Sequence, residues 1–347
     1  MRIALQLLGV VLAVLLTGAM LGTAGWVLPP VQSEQVGFRG TGMVQVHSPK
    51  AQAALLARNE APAPQDPAPP GGEPATKTYQ NVQVLTDLST DQFNRIMASI
   101  TEWVSPEQGC AYCHNVENMA DDSVYAKTVA RTMFRMVRAI NGPWKNHVGE
   151  TGVTCYTCHR GQPVPANVWH INPGPAHPGG FAARDAGQNH PSLQAGLSSM
   201  NYDPYRELLG DKAVGERAVR VAATTALPET RGESLQHTER TYALMIHMSE
   251  GLGVNCTYCH NTRAFSSWSE STPKRVTAWH GIRMVRDING TYIDPTAAVL
   301  PPERLGPEGD PAKVNCTTCH QGLAKPLNGA PMLKDYPELA GPVAAKP

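Results

Sequence analysis

The chain has no surplus of either charge. Its 347 residues include 29 Lys and Arg and 29 Asp and Glu, a formal net charge of zero. Such a balance excludes a bulk field for nucleic acid or for an anionic lipid surface. Aromatic residues are scarce at 6%, and hydrophobic residues reach 41%. That is a modest supply for a core in a chain whose length suggests roughly two domains. There is no lipobox cysteine at the N-terminus. No cysteine is left over elsewhere either. All eight fall in four copies of Cys-x-x-Cys-His, at Cys110–Cys113–His114, Cys155–Cys158–His159, Cys256–Cys259–His260 and Cys316–Cys319–His320.

Two thiols three residues apart can add across the two vinyl groups of a haem, and the adjacent His then falls under the iron as axial ligand. Zinc binding, a redox dithiol or coincidence would be serious readings of one copy. Four copies that use every Cys and always carry the His exclude them. The sequence therefore predicts four covalently bound haem c groups (iron), and a protein that moves electrons without substrate chemistry of its own. Porphyrin faces make up the apolar surface that the side chains lack, and two propionates per haem make the loaded protein more acidic than its formal count. Covalent haem attachment points to the outer face of a bacterial membrane, as does the cysteine usage.

Arg2 precedes an apolar run, Ile3–Leu28, broken only by small or weakly polar residues such as Gln6 and Thr17. About 20 apolar residues span a bilayer, whereas the apolar region of a cleaved signal peptide is about 7–15 residues long. We expect a retained anchor, with Arg2 keeping the N-terminus cytoplasmic and sending the haem domain to the periplasm. The stretch Ala61–Ala75 is so dense in proline that it reads as extended chain, either a spacer or an arm laid over a partner. The expected units are an anchor at 1–28, an extended Pro-rich arm at 29–85, a first dihaem half at 86–165, a connecting segment at 166–230, a second dihaem half at 231–325 and a Pro-rich tail at 326–347.

The halves are read from an internal duplication. Cys-Ala-Tyr-Cys-His-Asn at Cys110–Asn115 recurs as Cys-Thr-Tyr-Cys-His-Asn at Cys256–Asn261. Met-Val-Arg-Ala-Ile-Asn-Gly at Met136–Gly142 recurs with Asp for Ala at Met284–Gly290. Cys155–Gly161 matches Cys316–Gly322. Helices precede the motifs. Ser89-x-x-Gln92 is a capping box for a helix to about Trp103. Ser123–Ile140 is stopped by Asn141-Gly142-Pro143, Thr238–Glu250 is ended by glycines, and Thr272-Pro273 opens a fourth helix. The fold class is mainly α with long irregular connections: a multihaem cytochrome c of two pseudo-twofold-related dihaem halves, behind an N-terminal transmembrane helix.

Six-coordinate iron minimises rearrangement during electron transfer, so each haem wants a second axial ligand. Met97 is the only Met on the first of these helices. On the second, Met136 aligns with Met284 and reads as core, whereas Met133 aligns with Gly281 and reads as the ligand. On the third, Met245, His247 and Met248 compete, and pattern alone does not decide. The fourth helix has Gly281 where a Met would be. His147, in the loop before Cys155, has no counterpart in the second half and is free to reach the haem of His320; His280 is its rival. Glu102, Glu107, Glu117, Asp121 and Asp122 surround the first motif with no Lys or Arg between Arg95 and Lys127. Such an acidic rim would steer a basic donor.

This pattern of three helical Met ligands and one cross-half His resembles the tetrahaem cytochrome subunit of purple-bacterial photosynthetic reaction centres. The segments Gln35–Met43, Thr151–Gly161 and Gly281–Asn289 are similar to that family, over a match from about Gln35 to Asn328. The resemblance selects Met245, fifteen residues before His260, and agrees with Met97, Met133 and His147. It implies haems in a line, ordered third, fourth, second, first by motif, with the third nearest the photo-oxidised bacteriochlorophyll pair. It also implies the pigment-binding L and M subunits as partners, with the H subunit and the light-harvesting ring in one complex. A soluble cytochrome c or a high-potential iron–sulfur protein would be the donor. Some members carry a lipidated N-terminal Cys, and this chain has none, which leaves the helix to hold it. Two other classes compete: a membrane-anchored tetrahaem quinol dehydrogenase, which is usually shorter with its first haem near the anchor, and a multihaem reductase, which needs an open iron.

Overall fold

A computed structural model describes residues 2–23, 31–35, 44–171, 204–210 and 235–341. Residues 36–43, which carry most of the Gln35–Met43 resemblance, lie outside the described residues, as do most of the connecting segment and the last six residues of the tail. The described chain is mainly helical. Six longer helices, α1 (Arg2–Thr23), α2 (Pro49–Ala57), α3 (Thr90–Val104), α4 (Tyr125–Asn141), α5 (Leu235–Leu252) and α6 (Lys274–Asp287), alternate with short turns and irregular connections. A small antiparallel hairpin pairs β1 (Gln32–Gln35) with β2 (Val44–His47). Among the described residues no helix is long and apolar enough to cross a membrane. In α1, side chains are described only for residues 6–22, all of them exposed.

The predicted capping box acts as expected, whereas Pro273 caps α6 from outside and does not occupy its first turn. The Ser89 hydroxyl accepts from the Gln92 N–H and the Gln92 side chain accepts from the Ser89 N–H, so two donors at the start of α3 are satisfied reciprocally. The apolar faces of α3 and α4 meet in one cluster that includes Ile96, Trp103, Phe134 and Val137. A second cluster joins α4, α5 and α6 through Met136, Ile140, Leu244, Ile282, Met284 and Val285. Met136 and Met284 are both buried there, at the positions the duplication marks as core.

Asn141 is the last residue of α4, but the expected stop at Asn289-Gly290 is not one, because helical turns continue from α6 through Ile288–Ile293. Asn141 donates to the Val153 carbonyl at 3.0 Å and accepts from the Val153 N–H at 2.8 Å. Asn289 does the same to Val314, both at 2.9 Å. Each carboxamide thus holds the backbone two residues before a motif cysteine, Cys155 or Cys316.

The described part of the Pro-rich arm lies on the chain's own body. The guanidinium of Arg95 on α3 is buried and has every arm of its fork occupied. It pairs with the Glu338 carboxylate at 3.0 Å and donates to the carbonyls of Gln65, Asp66 and Asp335. A buried charge is tolerated when paired and fully hydrogen-bonded in this way, and here it fastens arm and C-terminal tail to the first half. Farther back, Asn328 donates to the carbonyls of Leu56 and Asn59.

Candidate haem-binding sites

The four motif histidines share one device. His159 and His320 each direct Nδ1 to the carbonyl three residues on, Gln162 and Leu323, at 2.8 Å. His114 and His260 each direct Nδ1 to the carbonyl five residues on, Met119 and Phe265, at 3.1 Å. A carbonyl can only accept, so Nδ1 carries the proton and Nε2 keeps its lone pair for a metal. His147 is held the same way, by the Thr277 carbonyl at 2.9 Å. Burial pulls the pKa of His147, His159 and His260 below the ordinary imidazole value, and that of His320 to about 4, with His147 adding to the shift. Each therefore stays neutral near pH 7, the form that ligates.

Matched contacts pair the motifs as the duplication does. Thr157 and Thr318, both fully buried, use Oγ1 to receive the N–H of Thr154 and Asn315. The residues after His159 and His320, Arg160 and Gln321, are both left-handed, at φ 51° and 49°. Asn115 and Asn261 each accept the N–H two residues on, at 3.1 and 3.0 Å. The turns Tyr156–His159 and Cys316–His320 face each other, and the sulfurs of Cys158 and Cys319 approach to 2.7 Å.

Two cavities lie beside the motifs. One, of about 550 Å³, is lined by Met97, Cys110, Cys113 and His114, with Phe93, Ile100 and Phe134 as apolar walls. The other, of about 670 Å³, is lined by Met133, His147, both cysteines and the histidine of the second motif, and the same three residues of the fourth. Met97 lines the smaller cavity, and Met133 lines the larger one together with its rival Met136. The thioether is the soft donor for such a position.

His147 and Gly281 explain each other. A Cβ placed on Gly281 would lie 2.5 Å from Cε1 of His147 and 2.9 Å from its Nδ1. The ring occupies the place of the side chain that α6 lacks. It faces His320 with ring centroids 6.0 Å apart, edge to face. His147 and His320 are thus the two imidazoles that could hold one metal between them. His280 packs on Trp279 at 4.9 Å instead.

The third motif is less complete. Cys259 and Met248 line the larger cavity, but neither cavity holds both Met245 and His260. Met245 is partly buried against the α4–α6 core. His247 is buried, and its Nδ1 lies 2.7 Å from the Tyr205 hydroxyl. Most of the connecting segment that precedes α5 lies outside the described residues.

Residues 27–340 match the sequence family described as the photosynthetic reaction centre cytochrome C subunit. The photosynthetic reaction center cytochrome c subunit of Thermochromatium tepidum is 48% identical over 320 residues, covering 92% of this chain and 77% of the relative. That of Rubrivivax gelatinosus is 48% identical over 335 residues, covering 96% and 90%. That of Roseobacter denitrificans is 40% identical over 325 residues, covering 89% and 85%. The chain belongs to the reaction-centre cytochrome c subunit family.

Membership implies covalently bound haem c and an electron-transfer role in a photosynthetic reaction centre, and it does not favour the quinol dehydrogenase reading. The residues fit that group: neutral imidazoles with a free Nε2, paired thiols beside them, and largely apolar cavities. Burial pushes Cys155 and Cys316 up to about 12, and Cys113 and Cys259 up to about 11.

The acidic rim at the first motif is smaller than the sequence suggested. Asp122 is taken up by Arg131 at 2.8 Å and Lys127 at 3.0 Å, and its pKa is lowered chiefly by the Arg131 bond. Asp121 accepts from Ser123 and Asn115. Glu107 and Glu117 remain exposed on that face, beside exposed Val116 and Met119. Sequence reasoning also missed Asn59, whose contacts join segments far apart in the chain.

Proposed function

We propose that the chain is the periplasmic electron-transfer subunit of a reaction centre, passing electrons from a soluble carrier through four haems to the photo-oxidised bacteriochlorophyll pair. Bound haem iron supplies a one-electron couple; the chain supplies attachment, axial ligands, spacing and the exclusion of water. The single observation that carries this reading is the common orientation of the ligand histidines, each with Nδ1 tied to a backbone carbonyl, in a member of this family.

The ligand pairs are His114 with Met97, His159 with Met133, His260 with Met245, and His320 with His147. Thioethers form at Cys110, Cys113, Cys155, Cys158, Cys256, Cys259, Cys316 and Cys319. Met/His ligation raises the potential and bis-His ligation lowers it, so the fourth haem is the low-potential step. The two dihaem halves are related by a pseudo-twofold axis that passes between Cys158 and Cys319; the matched hydrogen bonds at His159 and His320, Thr157 and Thr318, and Asn141 and Asn289 support it.

The anchor is α1. Its 22 residues span about 33 Å at 1.5 Å each, enough for a hydrocarbon core of about 30 Å. Residues 3–5 and 23–28, whose side chains lie outside the described residues, complete the apolar run. The third motif sits nearest the membrane. Eight residues separate Thr23 from Gln32, a reach of at most about 30 Å. The hairpin that follows docks on the third motif, the Val44 carbonyl accepting from Asn255 at 3.0 Å and Thr257 at 3.2 Å. Phe265 packs on His260 and stands exposed with Trp268, an aromatic face suited to the L and M subunits, with the H subunit and light-harvesting ring in the same complex. The soluble cytochrome c or iron–sulfur donor loads at the first motif.

The test is purification from photosynthetic membranes. Four haems per chain by pyridine haemochrome, bacteriochlorophyll-containing subunits in the same fraction and flash-induced haem oxidation are expected. A chain that purifies apart from pigment and shows no oxidation after a flash refutes the proposal.

A further inference from the structure

We infer that Asn59, at the end of α2, is a positioning residue that fixes the second haem motif against the fourth and so sets the gap an electron crosses between them. The inference rests on the four-haem reading above. Asn59 is 2% exposed. Its Oδ1 accepts from the Arg160 guanidinium at 3.1 Å. Its Nδ2 donates to the Gln321 carbonyl at 3.5 Å and to the Leu55 carbonyl at 2.9 Å. Arg160 and Gln321 are duplication-equivalent: each follows a motif histidine, and each is left-handed.

One carboxamide therefore touches both members of an equivalent pair, from an arm that has no counterpart in the duplication. An ordinary helix cap would account for the Leu55 bond alone. Leu55 adds a second contact at the same place. Gly322, at φ +90°, has Leu55 Cδ1 3.0 Å from where its Cβ would lie, so a side chain there would push the arm away. Asn328 holds the Asn59 carbonyl from the other side at 3.1 Å. Beneath this bracket the sulfurs of Cys158 and Cys319 meet at 2.7 Å.

Within each half, covalent attachment and the Asn clamps fix the motifs. Across the axis the second and fourth motifs are held by non-covalent contacts and by the proposed His147 ligand, and Asn59 spans the two motif turns directly. The step it governs moves one electron from ferrous iron at the second motif to ferric iron at the fourth; no bond forms and no proton transfers. Closer irons also repel oxidation of one another more strongly, so the same gap sets the mutual shift of their potentials.

Asn59→Ala and Asn59→Asp in the haem-loaded full chain test this. Aspartate keeps the acceptor for Arg160 and loses both donations from Nδ2. Haem content, haem-resolved redox titration in the dark and step rates after a flash are measured. Asn59→Ala is expected to keep four low-spin haems, to shrink the mutual shift between the second and fourth, and to slow transfer between them several-fold with the other steps unchanged. Asn59→Asp should fall between Asn59→Ala and the unmodified chain, and it carries the test if Asn59→Ala loads fewer than four haems. An unchanged mutual shift and rate overturn the inference, as does an equal loss across all four haems, which marks a merely structural role. The dark titration needs no pigment: a changed mutual shift in a chain that no flash oxidises leaves the positioning intact and sinks the reaction-centre reading.

Discussion

Gly281→Ala should eject the His147 ring from its place opposite His320. The added Cβ would stand 2.5 Å from Cε1 and 3.2 Å from Nε2, whereas unstrained carbon contacts lie at about 3.5–4.0 Å. The ring must retreat by roughly 1 Å. That move breaks the Nδ1 bond to the Thr277 carbonyl, worth about 0.5–1.5 kcal/mol. Keeping the ring in place instead means an overpacked contact costing about 1–3 kcal/mol. The first cost holds the ring and the second drives it out, so the balance runs up to about 2.5 kcal/mol against the present position, a factor of up to roughly 70 in occupancy. The helix is not the weak point, because alanine exceeds glycine in helix propensity by about 1 kcal/mol. The assay is carbon monoxide binding to the reduced protein together with the low-spin signal of the bis-imidazole haem. One haem of four should bind carbon monoxide and lose that signal. An intact bis-imidazole signal with no carbon monoxide binding would refute the reasoning, as would the same change produced by His280→Ala and not by His147→Ala.

His147→Met should raise the potential of one haem, the one attached at Cys316 and Cys319, in a redox titration; a uniform shift of all four would count against the assignment. Met133→Ala should open one iron to carbon monoxide, whereas Met136→Ala should lower thermal stability by about 2–5 kcal/mol with no new ligand binding, and the reverse pattern would overturn the choice between them. Glu117→Lys should slow re-reduction by a basic donor after a flash and flatten the dependence of that rate on ionic strength. A rate already flat with salt and unchanged by the reversal rules out steering at the first motif.

The chemistry of this protein is legible in its sequence because haem attachment is local. Two thiols three residues apart and the next histidine lie in one short stretch, so the four copies read as candidate haem sites without any fold. The start of α3 is equally local, since Ser89 and Gln92 satisfy each other within one turn. The duplication carried more, marking Met136 and Met284 as core and Gly281 as the position where a side chain is missing. What it could not report is where a side chain comes from when it arrives from elsewhere. His147 and Thr277 are 130 residues apart, and only packing of the loop after α4 against α6 puts the imidazole into the space beside Gly281. Asn141 and Asn289 read as helix stops, yet their carboxamides hold the backbone ahead of Cys155 and Cys316. Asp122 read as free charge in a stretch without cations, until the first turns of α4 swung Lys127 and Arg131 back onto it. Asn59 carried no signal, because its partners Arg160 and Gln321 sit 101 and 262 residues away. Covalent chemistry depends on neighbours along the chain, so sequence determined the cofactor and its attachment. The place of His147 beside Gly281 and of Asn59 against Arg160 and Gln321 depends on neighbours in space, so the tertiary structure decided them.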